Sequence, residues 1–170
     1  MIGRSMRKLL IALALAGLAA GCAGQQPRFD TADTNLALTP QQAAAQASAV
    51  GRRVLWGGTI VNASNLTDRT QLEVLAYPLD EDQRPRTDLS PIGRFLAVRD
   101  GYLETADYAP GRQVTVAGTV EGTSRGQVGQ ADYTYPLLRV DDIQLWPREP
   151  RYRSGVQPRF GVGIGISIGR

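Results

Sequence analysis

The sequence of 170 residues contains 19 lysines and arginines against 16 acidic residues, with one cysteine and no histidine. The absence of histidine removes the usual general base, the Ser-His-Asp triad and the commonest metal ligand. A single cysteine excludes an intramolecular disulfide, so packing and hydrogen bonds must stabilise any folded part.

The first 22 residues follow the order of a secretory signal: basic, then apolar, then small. The apolar run 9–20 is too short to span roughly 30 Å of hydrocarbon as a helix. Residues 18–22, Leu-Ala-Ala-Gly-Cys, resemble the bacterial lipobox, in which the cysteine is acylated and the preceding peptide bond is cut. We therefore expect a signal peptide over 1–21 and acyl chains on Cys22. The alternative is a secreted protein with a free thiol.

The positive net charge belongs mainly to this predicted signal. Arg4, Arg7 and Lys8 are three of the 19 cations, so cleavage before Cys22 leaves 16 cations against 16 carboxylates. Nucleic-acid binding depends largely on a cationic surface, and the balanced charge argues against a nucleic-acid partner. In lipoproteins of enteric bacteria, an aspartate after the cysteine favours the inner membrane. Here Ala23 follows the cysteine, so the resemblance to such lipoproteins favours anchoring in the outer membrane.

Residues 22–50 predict a tether followed by a short helix. The stretch 23–38 is polar and small, with neither helical nor strand period. Thr39 suits the N-cap and Pro40 the first helical position, and a run of glutamine and alanine follows. The alternative is a disordered segment, because these side chains have little to bury.

The stretch 51–147 predicts β structure. Five or six short segments rich in β-branched residues recur about every ten residues between Gly- and Pro-containing turns. Predicted strands cover 53–62, 70–79, 94–98, 113–121 and 133–147, the last interrupted at Asp141-Asp142; Asn62 to Asn65 is a predicted turn, and Gly122 to Gly129 a predicted hairpin loop.

Paired glycines, Gly57-Gly58, predict a sharp bend in the first strand. Such a bend lets one long strand contribute to both halves of a sheet and so closes it. The predicted fold class is therefore all-β: a small antiparallel five- to six-stranded OB-like barrel with a short N-terminal helix and irregular tails.

The tail 148–170 divides into an Arg- and Pro-rich stretch and the alternating segment Gly161–Gly169. That segment presents one aliphatic face and one face of nearly bare backbone. We expect it to pair with the domain's own edge or to form a disordered end, with self-association as the alternative. One strand alone cannot cross a bilayer, since its backbone groups lack partners.

Several motifs from Val54 to Pro147 together resemble the Slp family of outer-membrane lipoproteins, the starvation-inducible type. The matching segments are Val54–Ile60, Leu72–Asp80, Gly93–Leu96, Tyr108–Arg112, Val114–Gly118, Tyr133 with Tyr135-Pro136, and Leu145–Pro147. The resemblance implies an outer-membrane lipoprotein with an accessory or structural role in the envelope. It supplies no catalytic residues, and the Gly-alternating tail is not part of the resemblance.

No catalytic, cofactor or metal site is predicted, and we do not expect an enzyme. Asp80-Glu81-Asp82 lacks the alternating ligands of a calcium loop. The glycines of Gly122–Gly129 lack the Gly-Lys-Ser/Thr ending of a phosphate loop. A carboxylate-based hydrolase would need two acids facing each other across a cleft, which a sequence does not reveal.

Two functions fit these observations. The first is a lipid-anchored, non-enzymatic structural or accessory role, with the protein facing the periplasm and contacting other envelope proteins. The alternative is a binding module for a glycan, lipid or peptide, with aromatic rings stacking on the ligand. The candidate rings are Trp56, Tyr133, Tyr135 and Trp146, for which packing in the core is the competing interpretation.

Overall fold

A computed structural model describes residues 28–148. Its strands are β1 (Arg53–Asn65), β2 (Arg69–Tyr77), β3 (Gly93–Asp100), β4 (Gln113–Val128) and β5 (Ala131–Leu145), preceded by helix α1 (Pro40–Ala45) and a 3-10 turn (Ala47–Ala49). They close into a barrel in the order β1-β2-β3-β5-β4. Only β3 and β5 pair in parallel among these neighbours. This is the five-stranded Greek-key barrel of OB folds, and the predicted fold class is confirmed.

Strand β1 closes the barrel because it pairs with two neighbours. Its first half pairs with β4, from Arg53 opposite Thr119 to Thr59 opposite Gln113. Its second half pairs with β2, beginning at Gly57 opposite Tyr77. The two ladders overlap at Gly57, Gly58 and Thr59, so the predicted glycine bend lies where the strand passes from one half of the sheet to the other.

The backbones of β1 and β2 come so close at Gly58 that no side chain fits there. A Cβ atom at this position would lie 2.0 Å from the carbonyl oxygen of Leu75 and 2.8 Å from Cγ1 of Val74. Gly118 on β4 is similar, with a Cβ position 2.2 Å from the carbonyl oxygen of Arg139. Both glycines are therefore required by close backbone approach and not by an unusual turn.

Two β-bulges lie within the long strands β4 and β5, and one of them replaces the interruption predicted at Asp141-Asp142. Asp141 is the extra residue on β5 opposite the step from Ala117 to Gly118, and Glu121 is the extra residue on β4. A bulge bends a strand without ending it. The prediction of a hairpin loop over Gly122–Gly129 is wrong, since β4 continues to Val128 and the turn lies at Gly129 and Gln130.

The strand prediction also stops too early at the end of β1. Residues 62–65 continue β1, after a third bulge at Val61, and pair with β2 from Glu73 back to Thr70. The turn to β2 then occupies residues 66–68. Residues 62–65 are mostly polar on both faces of the strand. The apolar–polar alternation that identifies a strand is therefore lost, and the stretch resembles a turn.

The barrel interior is filled by aliphatic side chains that alternate along each strand. Val114, Val116 and Val120 of β4 and Leu72 and Val74 of β2 are at most 2% exposed. Phe95 and Trp56 pack at the centre with ring centroids 5.3 Å apart. This alternation is the pattern that the sequence predicts for both strands.

Both ends of the barrel are covered by non-strand segments. Helix α1 begins with a capping box: Thr39 Oγ1 accepts from the Gln42 N–H, and Gln42 Oε1 accepts from the Thr39 N–H. The helix ends at Ala45, earlier than the predicted limit at Gly51. The other cover comes from Leu103, whose N–H donates to the buried Thr70 hydroxyl at 2.9 Å.

Gly58→Ala should destabilise the barrel far more than a glycine substitution outside the sheet. We expect Gly58→Ala to lower the free energy of unfolding by about 3 kcal/mol or more, because the strands must move apart. Gly101→Ala is the control: its φ of +80° is strained for alanine but the site is open, and about 1–2 kcal/mol is expected. Urea unfolding followed by tryptophan fluorescence measures both; equal losses would contradict the close-approach account.

Candidate functional site

The segment before α1 docks on the outside of the barrel. Phe29 is only 4% exposed and packs with Leu55, Ala117 and Leu79. This cluster lies on the outer faces of β1 and β4, separate from the barrel interior. Burying a phenylalanine contributes up to about 3 kcal/mol. The residues 28–38 thus differ from the expected free tether, because they are held against the domain.

Gln83, in the loop between β2 and β3, holds Phe29 by its backbone. The Phe29 N–H donates to Gln83 Oε1 at 2.8 Å, and Gln83 Nε2 donates to the Phe29 carbonyl at 3.0 Å. The Gln83 carbonyl in turn accepts from the Thr115 hydroxyl at 2.6 Å. Gln83 has φ +64°, the one non-glycine with positive φ among residues 28–148, so the loop turns sharply to present it.

Gly57 makes room for this loop. A Cβ atom on Gly57 would lie 2.8 Å from Leu79 Cδ2 and 2.9 Å from Thr115 Oγ1. Leu79 belongs to the Phe29 cluster, and Thr115 bonds the Gln83 carbonyl. The first of the paired glycines therefore serves the docking of the N-terminal segment, while the second serves barrel closure.

An apolar groove of about 560 Å³ runs beside the docked segment. One wall comes from the segment itself and the other from the end of β2, the loop after it and Ile92. The principal lining residues are Leu36, Leu38, Tyr77, Pro78, Leu79 and Ile92. Leu36 is 61% exposed, so the groove is continuous with an apolar surface.

A second site lies on the outer face of β2, β3 and β5. Arg94 Nη1 lies 2.7 Å from Glu73 Oε1, and both side chains are about four-fifths buried, at 22% and 21% exposure. The Tyr135 hydroxyl donates to the same oxygen at 3.1 Å, and the Tyr133 hydroxyl accepts from the Arg94 N–H at 3.0 Å. The two tyrosine rings are 4.7 Å apart.

An open groove of about 380 Å³ separates this cluster from α1. Leu75, Arg94 and Tyr133 line one side of it, and Gln41 and Ala44 of the helix line the other. Tyr135 lies deeper, 4% exposed, under the β4–β5 hairpin, where its ring faces Gly126. The outer face of β2 and β3 is also the region where OB folds bind ligands.

The surroundings of Tyr135 raise the pKa of its hydroxyl above the ordinary value. Burial is the main cause, and the hydrogen bond and negative charge of Glu73 add to it, while the nearby Arg94 acts in the opposite direction. A neutral Tyr135 is therefore required for the hydrogen bond to Glu73.

One protein family matches this chain from the end of the predicted signal peptide through the barrel. The model of the outer membrane lipoprotein Slp family matches residues 19–164. The chain belongs to the Slp family. It is accordingly an outer-membrane lipoprotein, as the resemblance of its motifs predicts.

Three curated relatives support the membership. An uncharacterized protein of Haemophilus influenzae is 35% identical over 102 residues, covering 59% of this chain and 55% of that protein. The uncharacterized lipoprotein YeaY of Escherichia coli K12 is 32% identical over 97 residues, covering 57% and 50%. Outer membrane protein Slp of the same strain is 31% identical over 97 residues, covering 57% and 51%. The chain thus spans about half the length of the curated relatives it matches.

Two solved structures are similar to part of this chain. The mitochondrial single-stranded DNA binding protein Rim1 of S. cerevisiae has a TM-score of 0.38 at 16% identity, with coverage of 59% of this chain and 99% of that one. A small single-stranded DNA-binding protein from Streptomyces coelicolor has a TM-score of 0.34 at 18% identity, with coverage of 56% and 94%.

The four predicted ligand-face aromatics do not form one surface in this Slp-family protein. Trp56 lies mainly inside the barrel, 3% exposed, and its Nε1 donates to the Leu38 carbonyl at 2.7 Å; it reaches only the floor of the apolar groove beside the docked segment, away from the tyrosines. Trp146 lies on the opposite side from the tyrosines along β5 and donates to Thr115 Oγ1 at 2.9 Å. Only Tyr133 and Tyr135 come together. Cys22 and Gly161–Gly169 lie outside the described residues.

Metal binding and helical membrane spans find no support in the described part of the chain. Asp80, Glu81 and Asp82 are exposed, and Asp80 Oδ1 accepts from the Arg84 N–H at 2.8 Å. Between residues 28 and 148, His, Cys, Asp and Glu side chains form no group of three or more arranged to hold a metal ion. In the same range no helix has the length and apolar character needed to cross a membrane.

Gln83→Ala should release the docked segment while the barrel stays folded. Glutamine and alanine have a similar energetic cost for a backbone φ of +64°. Alanine, however, cannot make the two hydrogen bonds to Phe29, so the buried N–H of Phe29 is left without an acceptor. We expect amide hydrogen exchange over 29–38 to accelerate about tenfold or more, with amides 114–120 of β4 unchanged. Gln130→Ala, at the exposed hairpin turn, is the control. Unchanged protection of 29–38 would contradict the docking role of Gln83.

The stability of the protein should decline at alkaline pH because of Tyr135. Its folded-state pKa is raised, so its contribution is complete below the unfolded value of about 10 and is lost as the pH rises through the folded pKa. In Tyr135→Phe, the ultraviolet tyrosinate titration should lose amplitude above the ordinary tyrosine pKa, and the alkaline loss of stability should become smaller. Loss of amplitude at the ordinary tyrosine pKa instead, with the alkaline loss of stability unchanged, would contradict this prediction.

Proposed function

We propose that this Slp-family protein is a non-enzymatic envelope component, anchored through Cys22, whose barrel faces the periplasm and is held close to the outer membrane. The observation that carries the proposal is the docking of Phe29. Phe29 lies seven positions after Cys22, and an extended chain covers at most about 3.6 Å per position. The docked face therefore lies no farther than about 25 Å from the proposed lipidation site.

The chemistry of the chain supports a non-enzymatic role. The sequence has no histidine, and its one cysteine is assigned to lipid. Each buried CH₂ of an acyl chain contributes about 0.8 kcal/mol, so two or more chains hold a protein firmly on a membrane. Other envelope proteins are the proposed contacts, and the alternating segment Gly161–Gly169 is the proposed element for self-association.

Replacing the cysteine tests the anchor. Cys22→Ala should leave an unprocessed precursor that is larger on gels and lacks incorporated palmitate, because acylation precedes cleavage at a lipobox. Ala23→Ser is the control and should be processed like the native protein. Normal cleavage and membrane retention of Cys22→Ala would contradict the proposal.

The groove between α1 and Tyr133 favours a second function, the binding of a glycan, lipid or peptide. It offers the Tyr133 ring beside the largely buried ion pair of Arg94 and Glu73, so an apolar face and a charged group are available to one ligand. The anchor and this groove are compatible, since one holds the barrel in place and the other would select a ligand.

Calorimetric titration with peptidoglycan fragments and with lipopolysaccharide tests the second function. A probe that binds the groove should bind Tyr133→Ala about tenfold or more weakly, because the stacking ring is lost. Tyr102→Ala, which removes an exposed ring from the loop after β3, should not change the affinity. No heat of binding across the panel would remove this function.

A further inference from the structure

A basic pocket lies where β4 begins and β5 ends. Its volume is about 630 Å³, within the usual range for small-ligand sites. Three guanidinium groups, those of Arg84, Arg112 and Arg148, line it together with Gln113 and two prolines. No carboxylate of residues 28–148 is among the lining groups. We call it the arginine pocket.

Arg112 is fixed in place but incompletely satisfied. Its Nη1 donates to the Asp107 carbonyl at 2.8 Å, and its Nη2 donates to the Trp146 carbonyl at 3.0 Å. Its Nε is buried and has no hydrogen-bond partner within the described chain. Neutral carbonyls orient this cation without cancelling its charge, so the Arg112 guanidinium remains available to attract an anion in the pocket.

Gln113 completes the wall of the pocket, and Trp146 contacts the Arg84 side chain that lines it. The guanidinium of Arg84 lies over the Trp146 ring, 5.6 Å from its centroid, and Arg84 Nε donates to Gln113 Oε1 at 3.0 Å. Arg148 is exposed at the rim. Planar guanidinium groups match the oxygens of phosphate in pairs, so the wall suits a phosphate group better than a single carboxylate.

The arginine pocket lies beside the docking site of the N-terminal segment. Gln83, which holds Phe29, directly precedes Arg84 in the loop after β2. Thr115 connects the two places: its hydroxyl donates to the Gln83 carbonyl and accepts from Trp146 Nε1. The pocket therefore lies beside the segment that, under the proposed anchoring, leads to Cys22 seven positions before Phe29.

From this placement we infer that the arginine pocket binds the phosphate of a membrane-lipid headgroup. Anionic headgroups lie within reach of the docked face, and the pocket offers them oriented guanidinium groups beside an aromatic ring of the kind enriched at membrane interfaces. The contact would supplement the acyl anchor and fix the rotation of the barrel above the bilayer. The choice of a membrane lipid as the ligand rests on the anchoring proposed above. The positive charge of the pocket does not depend on that anchoring.

The test uses the full lipidated protein in nonionic detergent micelles. Calorimetry measures the binding of dihexanoylphosphatidylglycerol, an anionic lipid soluble as a monomer, and of inorganic phosphate in a parallel arm. The variants are Arg112→Gln and Arg148→Gln. Arg125→Gln, twelve positions after Gln113 along β4, is the charge-matched control.

We expect the lipid to bind more tightly than inorganic phosphate, and each pocket variant to weaken lipid binding about fivefold or more. Arg148→Gln changes an exposed rim residue, so it keeps the test valid even if Arg112→Gln unfolds. An equal loss in Arg125→Gln would overturn the inference, because binding would then reflect net charge alone. Binding of inorganic phosphate without the lipid would identify an adventitious ion only. Failure of the anchor itself is detected separately, by the processing of Cys22→Ala.

Discussion

The absence of side chains at Gly57 and Gly58 is the constraint on which both the barrel and the docked N-terminal segment depend. At Gly58 the backbone of β2 approaches β1 too closely for any Cβ atom. At Gly57 the missing Cβ leaves the space that Leu79 and Thr115 occupy. Leu79 begins the loop that carries Gln83, and Gln83 holds Phe29. Two adjacent residues thus connect barrel closure with the position of the membrane anchor.

This connection explains why a lipoprotein would order residues that look like a linker. A free chain between lipid and barrel would let the barrel adopt any orientation, because loop entropy favours no one arrangement. Docking of Phe29 attaches the chain to the barrel at a defined place beside the arginine pocket. The groove next to Tyr133 lies between α1 and the start of β3 and shares no lining residue with the Phe29 cluster.

The sequence predicts the features that depend on local pattern. The alternation in β2 and β4, the helix start at Thr39-Pro40 and the glycine bend in β1 all follow from period or from residue type. The long hairpin was missed because glycines such as Gly126 resemble a loop by composition, although Gly126 is there to admit the Tyr135 ring.

The docking site could not be predicted in the same way. Gln83 and Phe29 are 54 residues apart and belong to stretches without any period. The pairing of Glu73 with Arg94 depends on the register between β2 and β3, which polar residues on the outer face do not reveal. Trp56 and Trp146 differ in accessibility only because one points into the barrel and the other lies outside it.

The central claim is that the docked segment holds one end of the barrel near the membrane. Fluorophores on Asp82→Cys, beside Gln83, and on Gln130→Cys, at the hairpin turn, would report on opposite ends of β4 in the lipidated protein. In vesicles whose headgroups carry a quencher, the account predicts at least about twofold stronger quenching at position 82, since quenching requires close approach. Equal quenching at both positions would contradict it, because the barrel would then rotate freely about its anchor.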